Sequence, residues 1–246
     1  MNQTRNISIS LVAILIVIFA IVYYSNRTVD EPAPIKMSIN LTPTVLIDEK
    51  CANYPNSNLV SLVESDWIDG MVDAPLVVIE YGDFQCPGCA KLSKIMKELK
   101  PEYGDKLVRA YRHFPTSPHK YAMMTAEAAE AAGAQGQFWP YHDLLFERQS
   151  EWDAALNKEA VRVILVAYAK RLAISDTVPF VNGLGKYQSR VEAHYLSAVY
   201  AGVTGNPALF VNGVLYPVKQ RPLSLKNVRD FIDLISLNEG KCLGSL

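Results

Sequence analysis

The 246-residue chain lacks a long run of either charge: 24 lysines and arginines stand against 25 acidic residues, leaving a formal net charge of −1. A nucleic-acid partner normally demands a basic face or stripe, so nucleic-acid binding is set aside. Histidine is scarce as well. His113, His119, His142 and His194 show no paired ligand spacing, and there is no second C-x-x-C, so the common zinc frameworks are not spelled out. Internal repeats are missing too. Phe-Val-Asn-Gly occurs at 180–183 and again at 210–213, but in unlike surroundings. What the chain does have is apolar substance. Half its residues are hydrophobic, enough for one or two domains with proper cores.

The first such feature runs from Ile7 to Tyr24, eighteen residues without a charge, and Leu11 to Val22 is apolar without a break. That is near the lower limit for a helix crossing hydrocarbon, roughly 17–25 residues. The alternative is a cleaved signal peptide. Length, the closing Tyr23–Tyr24 pair suited to a membrane interface, and the lack of a small-x-small cleavage pair favour an uncleaved anchor. Both readings export the rest of the chain. The six-residue tail before the span favours an amino terminus inside and the bulk of the chain outside. The partner implied at this end is the membrane itself.

Four cysteines in an exported chain suggest pairing. Cys86 and Cys89 can bond to each other, leaving Cys51 and Cys242 as a candidate structural disulfide. That bond would close a loop of about 190 residues, worth up to roughly 5 kcal/mol in the chain-entropy model. Free thiols and intermolecular bonds are the alternatives.

Residues 25–50, with Pro32, Pro34 and Pro43, read as a tether. Leu59, Val60, Leu62 and Val63 suggest a short helix. Leu76–Tyr81, bounded by Pro75 and Gly82, reads as a buried strand. Ala90, Leu92, Ile95, Met96 and Leu99 fall at helical spacing, with Pro101 as the stop. Leu107–Phe114 is a second strand. Helices are expected over Tyr121–Ala132, over Phe138–Phe146, from an Asn157 cap through Leu172, and from Lys186 to Ala201. Asn212-Gly213 between Ala208–Val211 and Val214–Val218 is a hairpin signal, and Ser224 can cap a last helix. The order βαβ, helices, ββα fits an α/β class in which parallel and antiparallel pairs share one sheet with helices on both faces.

Cys86-Pro87-Gly88-Cys89 falls where a strand gives way to a helix. A helix N-terminus offers unpaired N–H groups and partial positive charge, which favour thiolate over thiol. A cysteine so placed is a good nucleophile and a good leaving group. Cys86 is expected at the helix start, exposed to a partner, and Cys89 one turn in and shielded. The competing readings are a structural bridge in a non-catalytic binding module and a zinc half-site, completed by Cys51 and Cys242 if four thiolates gathered. Glu80, inside the apolar strand, would be buried in a βαβ sheet. A buried carboxyl titrates near neutrality and can exchange protons with Cys89.

The run Val78-Ile-Glu-Tyr-Gly-Asp-Phe-Gln-Cys-Pro-Gly-Cys resembles the active-site segment of DsbA-like thiol-disulfide oxidoreductases. Tyr111-Arg-His-Phe-Pro, Ala126-Glu-Ala-Ala-Glu-Ala-Ala, Gln137-Phe-Trp and His142-Asp-Leu-Leu-Phe resemble that family's second strand and helical insertion, and Gly202-Val-Thr-Gly-Asn-Pro-Ala-Leu-Phe-Val-Asn-Gly its cis-proline segment. The resemblance spans about Trp67 to Leu237. It implies a thioredoxin-like fold with an inserted helical domain and disulfide transfer to the thiols of exported proteins, with a membrane redox partner restoring the bond. It assigns Cys86 as nucleophile, Cys89 as resolving thiol and Glu80 as buried acid. Pro207 becomes the cis-proline. Pro87, Gly88 and Asn206 would meet the substrate, Asn206 through its backbone. No cofactor and no metal is called for. Two departures stand out: Asn206 replaces the more usual threonine or valine, and Pro87-Gly88 lacks the histidine of the strongest oxidant, implying a milder one. Run in reverse, the same site would serve a reductase or isomerase. The expected organisation is a tail at 1–6, an anchor at 7–24, a tether and extension at 25–66, a βαβ half at 67–116, a helical insertion at 117–201 and a ββα half at 202–246.

Overall fold

The computed structural model describes residues 60–181 and 185–237. The expected anchor, the tether, Cys51 and Cys242 lie outside them. No helix among the described residues is long and apolar enough to cross a membrane.

Among the described residues five strands form one mixed sheet: β1 (Trp67–Asp69), β2 (Leu76–Gly82), β3 (Leu107–His113), β4 (Ala208–Val211) and β5 (Val214–Leu215), in the order β1-β3-β2-β4-β5. β2 and β3 are parallel and every other pair is antiparallel. The crossover between the parallel strands is helix α1 (Pro87–Tyr103) followed by a short 3-10 turn. A central strand covered on both sides is apolar throughout, and β2 obeys this apart from Glu80. Alternation sorts its side chains between two cores. Leu76 and Val78 pack with Leu92, Met96 and Leu99 of α1 and with Phe231 and Ile232 of the last helix, α8 (Leu225–Leu237). Ile79 and Tyr81 pack with Phe210, Ala198 and Val203 on the other face, beneath α7 (Gln188–Tyr200).

Between β3 and α7 comes the helical insertion: α2 (Ala122–Gly133), α3 (Phe138–Glu147), α4 (Gln149–Asp153), α5 (Lys158–Arg171) and α6 (Val178–Val181). α2 is rich in alanine and buried almost all round, so its neighbours approach closely. A Cβ on Gly133 would lie 2.6 Å from the Trp67 ring. At the start of α5, Asn157 Oδ1 accepts from the Ala160 amide at 2.9 Å, the expected cap.

Three expectations fail. Residues 60–63 are not helical. Val60 plugs the core beside Phe210, Asp66 accepts from the Val63 amide, and Arg112 donates to the Ser61 carbonyl, so side-chain contacts, the last from a residue distant in sequence, hold the segment out of a helix. Pro101 does not stop α1, which continues to Tyr103. Proline forfeits one hydrogen bond near the end of a helix, but buried Leu99 and a 2.8 Å bond from Tyr103 to Asp233 hold the final turn. The hairpin's second strand ends at Leu215, not Val218, two residues before Pro217, which cannot donate to a ladder. The turn itself is as expected, with positive φ at both Asn212 and Gly213. β1, α4 and α6 are additional to the expected elements.

Candidate active site

The residues after β2 form a tight turn into α1, and Asp83 organises it. The carboxylate of Asp83 accepts from the Gln85 amide at 2.8 Å, from the Thr116 amide and hydroxyl, and pairs with His119 Nδ1 at 2.7 Å. The insertion grips the same turn from its other side. Gln149 Nε2 donates to the carbonyls of Phe84 and Cys86 at 2.7 and 3.1 Å. Gln85 accepts from the Tyr121 amide and donates to Asp153. Cys86 thus becomes the N-cap of α1, extended at φ −79°, with Pro87 in the first helical turn.

The two sulfurs, unbonded to each other, are driven in opposite directions. Cys86 is pulled from 9.0 to about 6, chiefly by a hydrogen bond from the Cys89 thiol and, against the cost of burial, by the amides of Cys89 and Gly88. Cys89 is pushed well above the ordinary thiol range, first by burial and then by donating to Cys86. The sulfur of Cys89 also accepts from the Asp83 amide at 3.4 Å. Cys86 is more enclosed than its expected exposed position: the residue is 7% accessible and Cys89 is 0%. The Asn206 carbonyl oxygen, 3.8 Å from its sulfur, and the neighbouring Gly88–Pro207 contact narrow the approach.

Glu80 sits in β2 on the face that α1 covers, and burial raises its carboxyl from 4.5 to about 8. Arg109, the cation acting on it, is paired with Asp69 at 2.8 Å and stacks 4.1 Å over Trp139. Glu80 Oε1 has no hydrogen-bond partner among the described residues.

The Asn206–Pro207 bond is cis. A Cβ on Gly88 would stand 3.0 Å from Pro207 Cδ and 3.6 Å from Cys86 Sγ, so glycine lets the two segments meet. Asn206 Nδ2 donates to the Phe114 carbonyl at 3.0 Å, tying this loop to the end of β3. The structure therefore gathers Glu80, Cys86, Pro87, Gly88, Cys89, Asn206 and Pro207 at one end of the neighbouring interior strands β2 and β4. Cys51 and Cys242 lie outside the described residues. Sequence reasoning did not find Asp83, Gln85, His119, Gln149 or Tyr111. Gln85 could have been suspected from its place beside Cys86, whereas nothing local marks Gln149.

One further cluster raises the question of a metal. Ligand atoms of His113, Glu130 and His194, all buried, lie within 4.8 Å of one another. The Glu130 carboxylate is already engaged, however, by His113 and Trp67 at 2.9 Å and by Arg190 at 2.8 Å. A cation would have to displace that guanidinium, so the cluster fits a structural network better than a metal centre.

Comparison with known proteins agrees with this architecture. The family model described as Thioredoxin matches residues 61–234. The chain belongs to the thioredoxin family. Within that family its fold is DsbA-like. Wolbachia pipientis α-DsbA1 superposes with a TM-score of 0.60 at 18% identity, covering 74% of this chain and 98% of that one. MdbA of Actinomyces oris, described as a thiol-disulfide oxidoreductase, gives 0.57 at 17% identity, covering 68% and 84%. Among curated sequences, Na(+)/H(+) antiporter NhaA 3 of Salinispora tropica is 38% identical over 156 residues, 61% of this chain but 22% of the antiporter. The chain thus spans about a fifth of the length of that relative.

Proposed function

We propose that this thioredoxin-family chain is an extracytoplasmic thiol-disulfide oxidoreductase that donates the Cys86–Cys89 disulfide to thiols of exported proteins. One observation carries the reading: Cys86 caps α1, where the Gly88 and Cys89 amides favour its thiolate, while Cys89 lies fully buried one turn in, so the two acidities are driven apart. That asymmetry makes Cys86 the better leaving group and Cys89 the sulfur that holds its proton. The description of MdbA as a thiol-disulfide oxidoreductase supports the same chemistry. The apolar stretch Leu11–Val22 supports placement outside the cytoplasm, on an anchor with the amino terminus inside.

In the forward reaction a substrate thiolate attacks Cys86 Sγ. The Cys86–Cys89 bond breaks, its electron pair leaves on Cys89, and a mixed disulfide forms. Glu80, protonated at neutral pH, is the group placed to neutralise Cys89. The substrate's second thiolate then attacks its own bonded sulfur and releases Cys86 as a thiolate. Two electrons have passed to the cysteine pair, and a membrane redox partner would remove them. The Asn206–Pro207 segment, ahead of β4, would hold the substrate backbone by strand-like pairing, a mode tolerant of sequence. Cys51 and Cys242 remain a candidate structural pair. The test is to mix the oxidised protein with a reduced two-cysteine peptide and follow peptide disulfide, then to trap partners in cells with Cys89→Ala. Stoichiometric oxidation and mixed disulfides through Cys86 support the reading; no transfer rejects it. A measured reduction potential separates a donor from a reductase or isomerase.

A further inference from the structure

The buried pair Cys89 and Glu80 has a third polar neighbour that the transfer reaction leaves unused. Tyr111 is the register partner of Glu80 across the parallel β2–β3 pair, and the two side chains share a sheet face. Its hydroxyl reaches Gly82: a Cβ there would lie 2.8 Å from Tyr111 Oη, one residue before the Asp83 amide that bonds Cys89 Sγ. Tyr111 is 0% accessible, and its hydroxyl has no hydrogen-bond partner among the described residues. Its ring is fixed by Phe84 at 5.1 Å and by His142 at 4.8 Å. A fully buried hydroxyl without a partner is costly. Neither Cys89 Sγ nor the Glu80 carboxyl bonds the hydroxyl in this structure, yet both act on it electrostatically, so its hydrogen is uncommitted and can turn to a charge that appears there during turnover.

We propose that Tyr111 is a positioning residue whose hydroxyl donates a hydrogen bond to the negative charge passing between Cys89 and Glu80. This rests on the oxidoreductase reading and deepens it. When a substrate thiolate attacks Cys86, the breaking bond leaves its electron pair on Cys89 Sγ. The Glu80 carboxyl gives that sulfur its proton and becomes a carboxylate. Tyr111 keeps its own proton throughout, and burial together with the charges of Cys89 and Glu80 holds its phenol well above the ordinary range. The other groups facing this site are Cys86 and Asp83 from the turn, Arg109 and His113 from β3, and His142 from α3. All of them are unchanged in Tyr111→Phe, which removes one oxygen and keeps the ring contacts.

Two measurements on the full chain test this, with wild type, Tyr111→Phe and Glu80→Gln. The first is the rate at which the oxidised protein reacts with dithiothreitol from pH 5 to pH 9. The second is the pH at which the buried carboxyl ionises, read from its infrared carbonyl band and assigned by its loss in Glu80→Gln. Losing a hydrogen bond to a charged group should slow the reaction about tenfold near neutrality and move the carboxyl midpoint upward by about one pH unit. A purely structural tyrosine would lower the melting temperature but leave both pH profiles in place, and that result overturns the proposal. If wild type does not react with the dithiol, the oxidoreductase reading fails, while the infrared midpoint still decides whether the hydroxyl serves the carboxylate.

Discussion

Glu80→Gln replaces an ionisable group that is buried to all but 6% of its surface. In the folded chain burial raises the carboxyl from 4.5 to about 8, so the folded state holds a proton that the unfolded state has released. Below pH 4.5 both states are protonated and the carboxyl has no pH-linked cost. As pH rises from there through the folded value, the unfolded state is favoured, and the penalty levels off above about pH 8. At pH 7 the gap is about two and a half units, or roughly 3 kcal/mol at 1.36 kcal/mol per unit. At full ionisation it approaches about 5 kcal/mol. Glutamine brings its own buried amide, which costs about 1–3 kcal/mol if unpaired, but that term is independent of pH. The difference in stability between variant and wild type should therefore grow in the variant's favour by about 3 kcal/mol from pH 4 to pH 7. Urea unfolding of the reduced proteins, kept reduced with a phosphine at each pH, measures it. A difference that stays constant within about 1 kcal/mol over that range would refute the account of Glu80 as a buried, neutral acid.

Three further outcomes are expected from packing and pairing. Asp66→Ala should cost about 3–5 kcal/mol in chemical unfolding, because it strands the buried Arg112 guanidinium now held bidentately at 2.8 and 2.7 Å. Gly133→Ala should destabilise by about 1–3 kcal/mol, since the new methyl meets the Trp67 ring, itself fixed between Phe138 at 5.6 Å and Arg190 at 4.5 Å. Asn157→Ala should cost about 1 kcal/mol through loss of the α5 cap, with no effect on thiol reactivity.

The parts of the fold legible in the sequence were those whose signals are local. β2 and β3 are apolar runs closed by glycine or proline, α1 and α8 carry helical periodicity, and Asn212-Gly213 fixes the hairpin by its own backbone preference. β1 was not legible, because three residues carry no period and Trp67–Asp69 becomes a strand only by pairing with β3, distant in the chain. Pro101 misled for a related reason: a local helix breaker was overruled by contacts from α8. The site divides in the same way. Cys86 and Cys89 stand out by spacing, and Glu80 by being a carboxylate in an apolar strand. Pro207 and Asn206 came from family resemblance. Tyr111 and Gln149 could not be read at all, since each meets the site only through a register or a packing contact that the fold creates.

Alkylation of Cys86 tests the central claim most directly. In the reduced full-length protein, the rate of iodoacetamide labelling at Cys86, resolved by peptide mass spectrometry, should rise with a midpoint near pH 6, while Cys89 stays unlabelled across the same range. A Cys86 midpoint in the range of an ordinary free thiol, about 8.5, would contradict it.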